Sequence, residues 1–157
     1  MNDSARPITP SAIEIGKLLA IADRDLGQAS MVSLHLDTRF APAYNAALQL
    51  ATVVLRLRGI RIRKAGFHER TFQELEPQLP SGIRTFADYF DRARRKRNVL
   101  SHDHVNVASA GEVEDLIGQV RAFGAWVTEE VGRSNLASTS SGCSLDGSAT
   151  QRPLSTE

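Results

Sequence analysis

The chain has 157 residues, of which 41% are hydrophobic and 24% charged, a balance that fits one globular domain with a buried core. With 19 Lys and Arg against 18 Asp and Glu the formal charge is +1, so attraction to a nucleic acid has to come from local patches. A single cysteine, Cys143, excludes an internal disulfide framework and a multi-cysteine zinc site.

Met1 to Pro10 is polar and lacks the apolar run of a secretory signal, so residues 1–9 are expected to be a flexible lead-in. Thr9-Pro10 is a good helix start, because proline at the first helical position gives up no needed hydrogen bond. Ile15, Leu18, Leu19, Ala22 and Leu26 then recur at helical spacing, in a helix that extends past Gly27 towards Val32. Asp37 or Thr38 is placed to cap a second helix that continues to Arg58, with Gly59 as its stop. Tyr44, Ala47, Leu48, Ala51, Val54 and Leu55 give that helix a wide apolar face, marking it as the most buried one. The run Ala46–Leu57 carries Gln49, Thr52 and Arg56 and is too short and polar to cross a bilayer; no membrane partner and a cytoplasmic location are expected.

Gly59 to Lys64 alternates isoleucine with arginine but has no partner strand elsewhere, and reads as a basic connection or helix extension. A shorter helix is expected from about Glu69 to Gln78, closed by Pro80. From Ser81 a long helix follows, with Ile83, Phe86, Phe90 and Ala93 on one stripe. Ser109-Ala110-Gly111-Glu112 is a capping box opening the last helix, whose stripe of Val113, Leu116, Ile117, Val120, Phe123, Val127 and Val131 is the clearest in the chain. Trp126 beside it is read as packing or a dimer contact. From Ser134 the sequence is rich in Ser, Thr and Gly and buries too little apolar surface to offset its ordering entropy, so residues 134–157, Cys143 among them, are expected to form a disordered tail. The fold expected is an all-α, up-and-down bundle of four or five helices over residues 10–133.

The chemistry concentrates where the fourth stripe ends, in Arg94-Arg95-Lys96-Arg97-Asn98-Val99-Leu100-Ser101-His102. Arg97 continues the apolar stripe beyond Ala93, so its cation faces the bundle or a partner subunit. Asn98 and His102 are one turn apart on one face. Arg97 and His102 are separated by roughly 140° and about 7.5 Å along a helix, a gap a long arginine can close to share one phosphate with the imidazole. Cleavage of RNA through its own 2′-hydroxyl needs a base, an acid and a cation for the charge developing on phosphorus. Histidine suits the proton transfers and arginine the charge. One histidine per chain is sparse for both roles, and a symmetric dimer would bring a second.

Arg97-Asn98-Val99-Leu100-Ser101-His102 resembles the Arg-polar-x-x-x-His signature of HEPN domains, all-α bundles found in many prokaryotic toxins and defence proteins. Helical order over residues 12–132, including the Tyr44-Asn45-Ala46-Ala47 helix and Gly59 with Arg61 after it, is similar to the family's. The resemblance implies a metal-independent endoribonuclease acting as a homodimer with a shared cleft, needing no cofactor, and serving as the toxin of a toxin–antitoxin or antiphage system. It assigns phosphate binding to Arg97, orientation of the site to Asn98 and acid/base work to His102. The partners it implies are RNA and an antitoxin protein. Other members of the family are non-catalytic modules that bind nucleotides, RNA or proteins. In toxins paired with a minimal nucleotidyltransferase antitoxin, a tyrosine two residues after the motif histidine accepts adenylyl groups; here that position is His104, which excludes that form of control.

Arg94, Arg95 and Lys96 read as a solvated or RNA-guiding face. The second basic cluster, Arg56 to Lys64, is a candidate extension of it. His104 is a secondary proton-transfer candidate or polar surface, with surface preferred. His68 either caps the short helix or lies near the site, with the structural role preferred. His102, Asp103 and His104 have no further ligands clustered near them, so no metal site is expected.

Overall fold

A computed structural model describes residues 11–63, 65–101 and 107–140. The expected all-α, up-and-down bundle is what the chain forms: among the described residues there are five α-helices and no strand. They are α1 (Ala12–Ala29), α2 (Leu36–Leu57), α3 (Phe67–Leu75), α4 (Thr85–Leu100) and α5 (Ala110–Ser140). Short 3₁₀ turns at Glu76–Gln78 and Ser81–Ile83 join α3 to α4.

α2 is the hub, packing against each of the other four helices. Its alanine-rich centre explains this: Ala43, Ala46, Ala47 and Ala51 are all fully buried, and their small side chains let neighbouring helices approach from several sides. The α5 stripe closes the core with Val113, Leu116, Ile117, Val120, Phe123 and Val127. An aromatic series crosses the interior: Tyr44 meets Phe72 at 6.1 Å between ring centroids, Phe72 meets Phe90 at 6.1 Å, and Phe90 meets Phe123 at 5.3 Å. Trp126 stacks on Phe123 at 6.0 Å, so its ring packs within the chain.

The helix ends differ from the sequence expectation, each for a local reason. Ser11 caps α1, its Oγ accepting from the Glu14 amide, while Thr9 and Pro10 lie outside the described residues. α1 stops at Ala29, short of Val32, because the buried Arg39 guanidinium takes its last carbonyl: Nε donates to Ala29 O at 2.7 Å. His35, not Asp37 or Thr38, caps α2 through Nδ1. Asp37 instead accepts from the Ala108 amide at 2.9 Å, tying the start of α2 to the approach of α5. Ile60 to Arg63 is irregular connection, and α4 begins at Thr85 because a 3₁₀ turn takes up Ser81–Ile83. The Ser109–Glu112 capping box forms reciprocally, at 2.8 and 3.2 Å. α5 runs on to Ser140, past the boundary expected at 133; there Ser134 and Asn135 border a cleft with Ala12, Ile15 and Gly16, so the extension lies beside the start of α1. Residues 141–157, Cys143 included, lie outside the described residues.

Candidate functional site

Three helices meet where α3 begins and α4 ends. Gly66, with φ of +67°, turns the chain into α3 and puts His68 on its first turn. α2 supplies Tyr44 from its most buried stretch, and α4 supplies Arg94, Arg97 and Asn98 from its last two turns. An open cavity of about 250 Å³ lies between them, bordered by Gly66, Phe67, His68, Glu69, Arg94 and Asn98.

Tyr44 organises the cluster. Its side chain is 1% exposed, and its hydroxyl lies 2.9 Å from His68 Nδ1. The guanidinium of Arg97 sits over the Tyr44 ring, 5.7 Å from its centroid. Arg97 is partly buried, and its guanidinium has no hydrogen bond or ion pair to any described residue. The neighbouring cations are committed elsewhere. Arg94 Nε and Arg95 both bind Asp91 at 2.7 Å, and Lys96 binds Glu112 of α5 at 2.6 Å. Of the four consecutive basic residues, Arg97 alone is left without a carboxylate among the described residues.

The protonation states follow from this packing. Burial pushes the Tyr44 phenol up to about 12, against the pull of Arg97 and Arg94, so it stays protonated at any physiological pH. Burial, then the positive charges of Arg97 and Arg94, hold His68 below the usual histidine range, and its imidazole is neutral near pH 7. Burial opposes ionisation of Asp91, but hydrogen bonds from Arg94 and Arg95 outweigh it and keep the carboxyl below its ordinary range. Arg94 is raised in turn, chiefly by Asp91.

The two basic clusters stand at opposite ends of the bundle. Arg56 and Arg61 both bind Glu14 of α1 at 2.9 Å, and Arg58 binds Glu130 of α5 at 3.0 Å. Glu130 and Glu112, which each bind one residue of a different cluster, are separated by about 27 Å along α5. Neither cluster extends the other.

Among the sequence candidates, Arg94, Arg97, Asn98 and His68 therefore come together, and Arg95 and Lys96 point into ion pairs on α4 and α5. His102 and His104 lie outside the described residues. Among the described residues no group of three or more His, Cys, Asp or Glu is placed to hold a metal, and no helix is long and apolar enough to cross a membrane. Sequence reasoning missed Tyr44 as a site residue. The one available signal was chemical: a tyrosine on the face of the most buried helix needs a partner for its hydroxyl.

A larger groove of about 480 Å³ runs between α1 and α5, lined by Leu19, Leu26, Leu50 and Val120, but it gathers no cluster of titratable groups. No family model matches the chain, and comparison with curated proteins and with solved structures gives no match.

Proposed function

We propose that this chain is a HEPN-type, metal-independent endoribonuclease of the cytoplasm, working as a homodimer and serving as the toxin of a toxin–antitoxin or antiphage system. One observation carries the reading. Arg97 is a partly buried cation seated on an aromatic ring, with no anion among the described residues, on the last turn of the helix that leads into His102. A cation so placed is available to a phosphate. Three features support it: the cavity beside Arg94 and Asn98, the neutral imidazole across it, and the Arg-polar-x-x-x-His spacing.

In the reaction, a base takes the proton of the RNA 2′-hydroxyl, and the freed oxygen attacks phosphorus. The bond to the 5′-oxygen breaks, and that oxygen leaves with a proton from the acid. The products are a 2′,3′-cyclic phosphate and a 5′-hydroxyl end. Arg97 stabilises the charge on phosphorus, Asn98 orients the phosphate, and His102 exchanges protons, with the second copy of each supplied by the partner in the dimer.

The test is purified protein with single-stranded RNA in excess chelator, comparing wild type, Arg97→Ala and His102→Ala. Cyclic-phosphate ends from wild type alone are expected. Equal cleavage by all three, or none by a folded wild-type dimer, removes the ribonuclease reading; RNA binding without cleavage would make the chain a binding module.

A further inference from the structure

We infer that the cavity between the start of α3 and the end of α4 is a subsite for one RNA phosphodiester, in which His68 donates a hydrogen bond from Nε2 as a neutral imidazole and Tyr44 holds it in the tautomer that allows this. The inference rests on the RNA reading above only for the identity of the polymer.

The argument begins with the phenol. A buried O–H needs an acceptor, and the one beside Tyr44 is His68 Nδ1, 2.9 Å away. If Nδ1 carried the hydrogen instead, it would donate to the phenol oxygen, and the phenol proton would be buried with no acceptor among the described residues. The bond therefore runs from Tyr44 O–H to the Nδ1 lone pair. A neutral imidazole with Nδ1 accepting carries its hydrogen on Nε2. That N–H is what His68 offers the cavity it lines. The high phenol and low imidazole protonation points agree with this arrangement.

Charge then selects the ligand. The polar and charged groups around His68 are Tyr44 from α2, Glu69 and Arg70 from α3, and Arg94, Arg97 and Asn98 from α4, with Asp91 binding Arg94 and Arg95. Arg70, Arg94 and Arg97 outnumber the carboxylates of Asp91 and Glu69, and that positive surplus suits a phosphate group. The cavity, about 250 Å³ and open to solvent, is smaller than the roughly 300–1,000 Å³ of sites that enclose a small molecule. It accommodates a backbone phosphate while riboses and bases lie outside. A neutral donor has a further consequence: the positive charge of the subsite resides on arginine, and binding through His68 does not fade as pH rises through the histidine range.

The experiment measures the affinity of full-length protein for a 2′-O-methyl RNA decamer, which cannot be cleaved, between pH 6 and 8.5. It compares wild type with His68→Ala, His68→Gln and Tyr44→Phe. Inorganic phosphate and a nucleoside 5′-monophosphate serve as competitors, and circular dichroism confirms folding. His68→Ala is expected to weaken binding about tenfold, the loss of one hydrogen bond to a charged group. His68→Gln, whose amide N–H stands in for Nε2–H, should bind within about threefold of wild type. The ratio of wild type to His68→Ala should stay constant across the pH range, and neither monoester nor free phosphate should compete at concentrations where the diester does. Nitrogen NMR of the imidazole should show the Nε2–H form in wild type and a tautomer mixture in Tyr44→Phe, a change that a purely structural tyrosine would not produce.

Binding that requires His68 only below about pH 6.5 would assign an imidazolium and overturn the inference. Unchanged binding in both His68 variants, an Nδ1–H tautomer in wild type, or preference for the monoester would overturn it as well. Failure of the ribonuclease reading looks different: unmodified RNA stays intact while His68-dependent binding persists.

Discussion

Replacing Tyr44 with phenylalanine reverses the order of stability between neutral and alkaline pH. At pH 8 the substitution deletes one buried hydrogen bond and leaves His68 Nδ1 to water, a loss of about 1 kcal/mol. The ring remains, so its contact with Phe72 and the seat of Arg97 persist. In alkali the wild-type phenol becomes a liability. In the unfolded chain it ionises near its ordinary value of about 10, whereas burial raises the folded value to about 12 against the pull of Arg97 and Arg94. A group whose folded pKa is raised contributes stability that is complete below the unfolded pKa and disappears as pH climbs towards the folded one. With those two values, linkage removes about 1.4 kcal/mol of wild-type stability by pH 11. That exceeds the hydrogen bond the variant lacks, so Tyr44→Phe should equal or surpass wild type near pH 11. Urea unfolding at pH 8, 10 and 11 measures it. Tyr89 is the only other tyrosine, so a Tyr89→Phe background lets phenolate absorbance report Tyr44 alone. Stability profiles that stay parallel through pH 11, or a Tyr44 phenolate that forms near pH 10, would refute the burial argument and the tautomer argument built on it.

Arg39→Met should lower stability by about 2 kcal/mol, because it strips the Ala29 carbonyl of a charged donor inside the bundle, while the methionine stem keeps the packing. Glu114→Gln, at the other end of the same pair, should cost no more than about 0.5 kcal/mol, since its side chain is 58% exposed; equal losses in thermal or urea unfolding would contradict the assignment. Asp91→Asn releases Arg94 and Arg95 together, and should tighten binding of the 2′-O-methyl RNA and steepen its salt dependence. The same variant should lose less stability than wild type as pH falls below about 4, because the Asp91 pKa is depressed on folding and its contribution is present only above that range. An unchanged salt slope would mean that the two arginines never reach the phosphates.

The fold was legible because its signals are periodic and local. The α5 stripe and the Ser109–Glu112 capping box need only neighbours three or four residues away, and both appear as read. Helix ends were less legible, since they depend on distant claims on the same side chains. Asp37 looked like a cap from its own sequence, but the Ala108 amide takes its oxygen, 71 residues away, and His35 does the capping. The Ser- and Thr-rich stretch after Arg133 lacks an apolar stripe, yet it continues α5 beside the start of α1. The site divides in the same way. Asp91 stands three and four residues before Arg94 and Arg95, so their neutralisation was available from spacing, whereas the pairing of Lys96 with Glu112 was not. His68 and Tyr44 are 24 residues apart on different helices, and only the packing of α3 onto α2 joins them.

That same register explains why Arg97 is the cation left over. Asp91 can serve the residues three and four places ahead of it, and both of those are arginines that use it. Arg97, two turns on, is beyond its reach and faces α2, where Tyr44 offers a ring and no carboxylate. A cation on a ring is held by about 0.5–2 kcal/mol, enough to order the side chain without satisfying its charge. The seat is compatible with a ligand, because Cζ stands 5.7 Å from the ring centroid and no N–H donor of the guanidinium is bonded to a described residue. Arg97 therefore does not have to leave Tyr44 to bind a phosphate, and the ordering of that side chain is already part of the fold. Tyr44 has two tasks on two surfaces: its face carries the charge, and its hydroxyl fixes the tautomer of His68, the neutral donor that borders the cavity.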